Sequence, residues 1–191
     1  MIFKFFSLLI MILFYGIYFL KMYAQKKKGI QTRQIGKCKN RDIRIVEILM
    51  SIATFIILPV QIISIIIDLK MLNDGIRFVG IILGIIGDIL FLIAVVTMKD
   101  SWRAGIPCED RTTFISTGIY NLSRNPAFLG FDLMYVGICL IYCNILTIIF
   151  TLFAIIMLHF QILQEEKFLE KTFGNEYISY KKKVFRYLGR K

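Results

Sequence analysis

Four stretches of this chain are too apolar to remain in water, and their lengths decide most of what the chain can become. Phe5 to Leu20 and Ile48 to Ile67 carry no charge, and Phe78 to Met98 carries only Asp88. Ala127 to Leu163 runs for 37 residues with Asp132 as its one formal charge. Crossing about 30 Å of hydrocarbon takes roughly 20 apolar residues in a helix, which satisfies its own backbone within one segment. At about 1.5 Å per residue the fourth stretch would extend roughly 55 Å, too long for one crossing. It is therefore read as a helical hairpin divided near Cys143–Asn144, although no glycine or proline marks the division. The expectation is an all-α integral membrane protein of about five transmembrane helices with a cytoplasmic amphipathic C-terminal helical tail. A three-helix region, 1–96, with a basic loop at 24–44, would precede a second unit, 97–191, holding a polar loop, the hairpin 126–163 and the tail.

Charge sets the orientation. Gln25 to Arg44 holds eight lysines and arginines, Lys99 to Asn125 four, and the residues after Leu163 eight. The alternate loops keep only Lys4, Lys70 and Arg77, with Lys21 at the inner boundary. The excess of positive charge on cytoplasmic loops predicts an outside N-terminus and a cytoplasmic tail. The net charge of +11 is then accounted for by topology and anionic lipid, with no nucleic-acid partner. "FLKMYAQKKK" has no small-x-small cleavage pattern, so the first segment reads as a retained helix. Cys38, Cys108, Cys139 and Cys143 form no C-x-x-C pair. The first two are expected as reduced thiols on the cytoplasmic side, and the last two as packing residues one turn apart on a membrane helix.

Much chemistry is excluded. His159 is the single histidine, so His-cluster metal sites and H-E-x-x-H are absent, as are G-x-S-x-G and the phosphate-binding G-x-x-x-x-G-K-[ST] loop. No metal is expected. "GIILGIIGD" at 80–88 spaces its glycines for helix packing, not for a dinucleotide. Asp88 beside it is either functional, as an intramembrane carboxylate, or protonated and packed between helices.

Two constellations remain. In "TGIYNLSRNPAFLGFDL", residues 117–133, Asn125 is placed to cap a helix whose first residue is Pro126. Its free N–H groups, around Ala127 to Leu129, would attract a carboxylate or phosphate, and Arg124 adds donors at the same spot. Gly118 and Gly130 would permit close backbone approach, and Tyr120 and Phe128 offer aromatic faces. Taken alone, the same residues also read as a membrane helix start with an interfacial arginine and aromatic belt. In the second, residues 159–189, the last membrane helix runs on into a charged helix with Glu165 and Glu166 at the emergence point. Phe168, Leu169 and Phe173 form an apolar stripe, Gly174 ends the helix and Asn175 caps the next. Tyr177, Tyr180, Val184 and Tyr187 continue at spacings of three and four, as in an amphipathic tail folded on the membrane face or the preceding loop. Alone, the glutamate pair also reads as a solvated helix turn.

In order, these residues are Gly118, Tyr120, Arg124, Asn125, Pro126, Phe128 and Gly130, then Glu165, Glu166, Leu169, Phe173, Gly174, Tyr177 and Tyr180. The set resembles the isoprenylcysteine carboxyl methyltransferase family and its phospholipid methyltransferase relatives, over about residues 97 to 189. "DSWRAGI", with Trp102 and Arg103, is similar to bacterial members and thus to a bacterial plasma-membrane setting. The resemblance implies a membrane enzyme using S-adenosyl-L-methionine, with a lipid-like acceptor entering from the bilayer. It implies cofactor contacts at Thr112, Thr113, Phe114, Ile115, Tyr120, Asn125, Pro126, Ala127, Phe128, Glu165 and Glu166. Arg124 would clamp the acceptor, and Gln161 would touch it at a position where the family has arginine. Asn125 and Phe128 replace a common His and Tyr. Asp132 could instead meet an amine acceptor, so carboxylate and amine acceptors both stay open. A non-catalytic scaffold of the same fold, or a related reductase using NADPH, are the alternatives.

Overall fold

The computed structural model describes residues 1–37, 40–107 and 112–190. Cys38 and Cys108 lie outside the described residues. The chain forms α1 (Ile2–Lys27), α2 (Arg41–Ile67), α3 (Asp74–Met98), α4 (Pro126–Ile141), α5 (Ile145–Phe173) and α6 (Asn175–Lys183). Short tighter turns occupy Lys99–Ser101 and Gly118–Asn121. Helices α1, α2, α3 and α5 are long and apolar enough to cross a membrane, and α4 is a shorter apolar helix of 16 residues. The expected set of five apolar helices is therefore present. The long helices keep outward rows such as Ile12, Phe19, Phe55, Ile66, Ile82 and Ile149 exposed, as helices bathed in lipid do.

Packing follows from where bulk is missing. Helix α3 packs on α1 and α4, α4 on α5, and α5 on α2, while α1 and α2 barely touch. The α3–α4 seam is made of glycines. A Cβ on Gly80 would lie 2.6 Å from the Gly137 carbonyl oxygen, and one on Gly137 2.6 Å from that of Gly80. Gly87 and Gly130 repeat the relation at 2.8 and 2.9 Å. Backbones this close exchange dispersion along their whole length, which substitutes for the hydrophobic driving force absent in lipid. The spacing in "GIILGIIGD" is thus a packing seam, as read from the sequence. Gly130 belongs to the same seam, not to a ligand's approach.

The hairpin divides where expected, for a reason the sequence did contain. The Asn144 side-chain oxygen accepts from the Thr147 N–H at 3.1 Å, and the Thr147 hydroxyl accepts from the Asn144 N–H at 3.0 Å. This reciprocal cap opens α5, and the Asn144 Nδ2 also donates to the Ser64 hydroxyl on α2 at 3.0 Å. Asn144→Ala is expected to cost about 1 kcal/mol, a melting temperature about 2–4 °C lower for a chain of this size. Cys143 lies in the turn beyond α4, so Cys139 and Cys143 do not share a helix; both are buried thiols.

Two buried polar side chains tie the loops of the charged end together. Gln25 donates to the Trp102 carbonyl at 3.0 Å and accepts from the Thr32 hydroxyl at 2.6 Å. Glu47, fully buried on α2, accepts from the N–H groups of Gly36 at 2.6 Å and Ile106 at 3.0 Å. Between them Arg33 and Ala104 form an isolated parallel bridge. The tail packs back on the preceding loop. Tyr177, Tyr180 and Val184 are buried against Phe114, Leu169 and Phe173. Gly174 is the residue that caps α6, at φ +52°, and Asn175 is the first residue inside it, not the cap.

Candidate active site

Helix α4 starts at Pro126, whose ring supplies no N–H and a preset φ. Its first intrahelical bond runs from the Leu129 N–H to the Asn125 carbonyl at 3.1 Å. The N–H groups of Ala127 and Phe128 therefore lack an intrahelical acceptor; that of Leu129 does not. The Asn125 side chain makes no cap. Its amide donates instead to Glu166 at 3.4 Å and to the Arg186 carbonyl at 3.1 Å. The Asn125 amide is thus engaged by Glu166 and the tail, which turns the side chain away from the helix end.

Glu166 is the knot of the charged end. Arg186 grips it bidentately, Nε to Oε1 and Nη2 to Oε2, each at 3.0 Å. Arg124 Nη2 stands 3.2 Å from Oε1. The carboxylate and the Arg124 side chain are 5 % and 7 % exposed, so this pair is far better shielded than a surface ion pair. The Phe185 carbonyl accepts from the Arg124 N–H at 3.1 Å, and the Leu122 carbonyl from the Gly189 N–H at 2.6 Å. Tyr187 meets His159 Nδ1 at 2.6 Å. The Tyr180 hydroxyl donates to the Tyr120 carbonyl at 2.6 Å. Burial pushes the phenols of Tyr120, Tyr177 and Tyr180 well above their usual range, so Tyr180 keeps the proton it donates. Residues 184–190 thus strap the start of α4 to the end of α5.

Two cavities lie beside this strap. The smaller, about 130 Å³, is lined only by residues between Met98 and Tyr180. Thr112, Thr113, Phe114 and Ile115 form one side, Tyr120, Arg124, Asn125, Ala127 and Phe128 another, and Glu165 a third. The larger, about 260 Å³, is mostly apolar and sits in the cleft between α1 and α2. Tyr15, Tyr18, Met50, Thr54, Phe131 and Gln161 are among its walls. The two share Trp102, Arg103, Gly105, Ala127, Phe128 and Glu165. Together they reach the lower part of the roughly 300–1,000 Å³ typical of ligand sites. Gln161, fully buried, donates to Glu165 Oε1 at 3.0 Å and so orients the carboxylate in the shared wall.

Most sequence-predicted residues therefore converge, with instructive exceptions. Pro126 and Glu166 line neither cavity, Pro126 because it is the helix start and Glu166 because two arginines hold it. Arg124 lines the smaller cavity, not the larger one where an acceptor clamp would stand, because Glu166 anchors it there. Asp88 and Asp132 line neither. Gly118, at φ +61°, serves the turn before Tyr120. The sequence reading missed Gln25, Arg33 and Glu47. Glu47 left a signal, a lone carboxylate at the head of the apolar run "RIVEILM".

The sequence pattern of the phospholipid methyltransferase family matches residues 76–176, more than half of the chain and nearly all of α3 to α5. The chain belongs to this family. Two curated relatives from rice, Oryza sativa subsp. indica and subsp. japonica, are each named "Probable protein-S-isoprenylcysteine O-methyltransferase". Each is 38% identical over 115 residues, covering 57% of this chain and 59% of the relative. The chain thus spans little more than half the length of these relatives. The family match begins on α3, so it takes in the whole smaller cavity except its rim beyond residue 176, and only part of the larger one.

Proposed function

We propose that this chain transfers a methyl group from S-adenosyl-L-methionine to a lipid-borne or prenylcysteine-like acceptor at the cytoplasmic membrane face. The observation that carries this reading is the wall shared by two cavities, the smaller one ringed by Thr112, Thr113, Tyr120, Arg124, Asn125 and Glu165, the larger one lying between α1 and α2 and more apolar. The residues of the smaller cavity fit the cofactor's chemistry. Arg124 Nε and Nη1 are buried with no hydrogen-bond partner, and with the N–H groups of Ala127 and Phe128 they form a donor cluster suited to a carboxylate. Glu165 suits an ammonium or sulfonium, and Phe114, Tyr120 and Phe128 suit an adenine. When bound, the cofactor supplies an electrophilic methyl on a positively charged sulfur.

The chain's own contribution is positional. Gln161 holds Glu165 still, Trp102 and Phe128 exclude water at the wall, and the strap fixes Arg124 and Asn125, which line the smaller cavity. Alignment of this kind is worth roughly 7–11 kcal/mol where reactants are held in a near-attack geometry, so no strong base is needed. The second unit, 97–191, would house the donor side, and the helices of 1–96 the acceptor side. The excess of lysine and arginine on the loops around the smaller cavity supports a cytoplasmic placement.

The test is a melting curve of the detergent-purified protein. S-adenosylmethionine or its demethylated product at a hundredfold excess over Kd is expected to add about 2.7 kcal/mol. NADPH is expected to add none, and Glu165→Ala to abolish the shift, with an unliganded melting temperature somewhat below wild type because the buried Gln161 amide loses its acceptor. A shift with NADPH alone would favour a reductase, and no shift with either a scaffold. Incubating membranes with radiolabelled methyl donor then shows whether lipid or protein takes the label.

A further inference from the structure

We propose that Arg33, in the loop between α1 and α2, binds the oxyanion of the acceptor and sets acceptor specificity. The proposal rests on the methyl-transfer reading above. The larger cavity is apolar and aromatic except near its charged end, where two guanidinium groups, Arg33 and Arg103, line it. Its single carboxylate among the described residues, Glu165, is engaged by Gln161 at the shared wall. Gln161 commits its amide nitrogen to that bond and turns a partnerless oxygen to its surroundings, so it is poorly placed to hold an anion. Of the two arginines, Arg103 is engaged by backbone carbonyls, which leaves Arg33 as the group for one.

Arg33 differs from the basic residues Lys28, of its own loop, and Arg103, of the segment after α3. Lys28 pairs with Asp100 at 2.9 Å. Arg103 donates to the carbonyls of Asp100 at 2.6 Å and Trp102 at 2.9 Å. The Arg33 side chain makes no ion pair among the described residues, yet its backbone is held more firmly than a solvated loop requires. The Gln34 N–H donates to the Ala104 carbonyl at 2.9 Å, and the Ala104 N–H to the Thr32 carbonyl at 3.0 Å. Glu47 and Gln25 brace the same segment from below. An arginine on a backbone segment held by hydrogen bonds, lining an apolar cleft that a second guanidinium also lines, matches an amphiphile with an oxyanion next to its reactive end. Phe19 and Phe55, exposed on α1 and α2, flank the route its chain takes into the bilayer. The oxyanion is either a carboxylate or a lipid phosphodiester, and both present the planar or forked acceptor that arginine binds.

Acceptor binding is measured without methyl donor, in nanodiscs, with N-acetyl-S-farnesylcysteine and its neutral primary amide. Wild type is expected to prefer the carboxylate by about tenfold, the low end for a hydrogen bond to a charged group because Arg33 is exposed. Arg33→Gln is expected to erase the preference, Arg33→Lys to keep part of it, and neither to move the melting temperature. In turnover, Arg33→Gln is expected to raise KM with kcat unchanged. A parallel pair, phosphatidylethanolamine against diacylglycerol, assigns the oxyanion to a phosphodiester if Arg33→Gln erases that preference instead. If Arg33→Gln leaves both preferences intact, the proposal is overturned. If the preference vanishes but the demethylated cofactor never shifts the melting curve, the anion site stands and methyl transfer falls.

Discussion

Glu166→Ala is expected to lower the melting temperature of the detergent-solubilised protein by on the order of 10 °C. The substitution leaves Arg124, already buried with two partnerless nitrogens, without its counter-charge, and frees Arg186 and the Asn125 amide. Removing one partner of a buried pair costs about 3–5 kcal/mol, at roughly 2–4 °C per kcal/mol for a chain of this size. Arg186→Ala should cost less, since that side chain is 32 % exposed and water can replace the bond. A circular-dichroism melt in mild detergent reads both. A Glu166→Ala protein that melts within 2 °C of wild type would show that solvent already screens the knot. The neighbouring Glu165→Ala is the contrast, expected to lose the cofactor-induced shift with a smaller loss of stability, since it leaves a neutral buried amide and not a buried charge without its partner.

Gly137→Leu is expected to separate α3 from α4. The new side chain would begin 2.6 Å from the Gly80 carbonyl oxygen and 2.7 Å from the Gly84 nitrogen, both backbone atoms that no rotamer change can clear. Overpacking a tight core costs about 1–3 kcal/mol when side chains can yield, and more where they cannot. The damage should reach the site, because α3 leads into the Trp102 segment and α4 begins at Pro126. Loss of the cofactor-induced shift together with a melting temperature lower by roughly 6 °C or more is the expected outcome. Gly16→Leu, with nothing within 4 Å of the added Cβ, is the matched control and should melt like wild type. Equal behaviour of the two variants would mean the glycine seam is not what holds the helices together.

The helices were legible because lipid imposes a length and a composition on each crossing, and Asp88 and Asp132 were too few to hide them. The glycine seam was legible because packing in lipid needs small residues at helical spacing. The start of α4 was legible in Asn125-Pro126, since proline at that position suits a helix start and nothing else nearby competes. The roles of Glu165 and Glu166 were not. They are adjacent, chemically identical and about 100° apart on one helix, so which faces a cavity and which faces two arginines depends on where α4 and the tail fold. Arg33, Glu47 and Gln25 were hidden for a related reason: a charge or amide in a basic loop or helix end looks solvated until a distant segment, here 100–107, is laid against it. Local pattern therefore settles the elements and their ends, because those are governed by backbone hydrogen bonding and burial within a few residues. Division of labour among like charges is settled by long-range contact, because electrostatic partnership depends on distance in space and not along the chain.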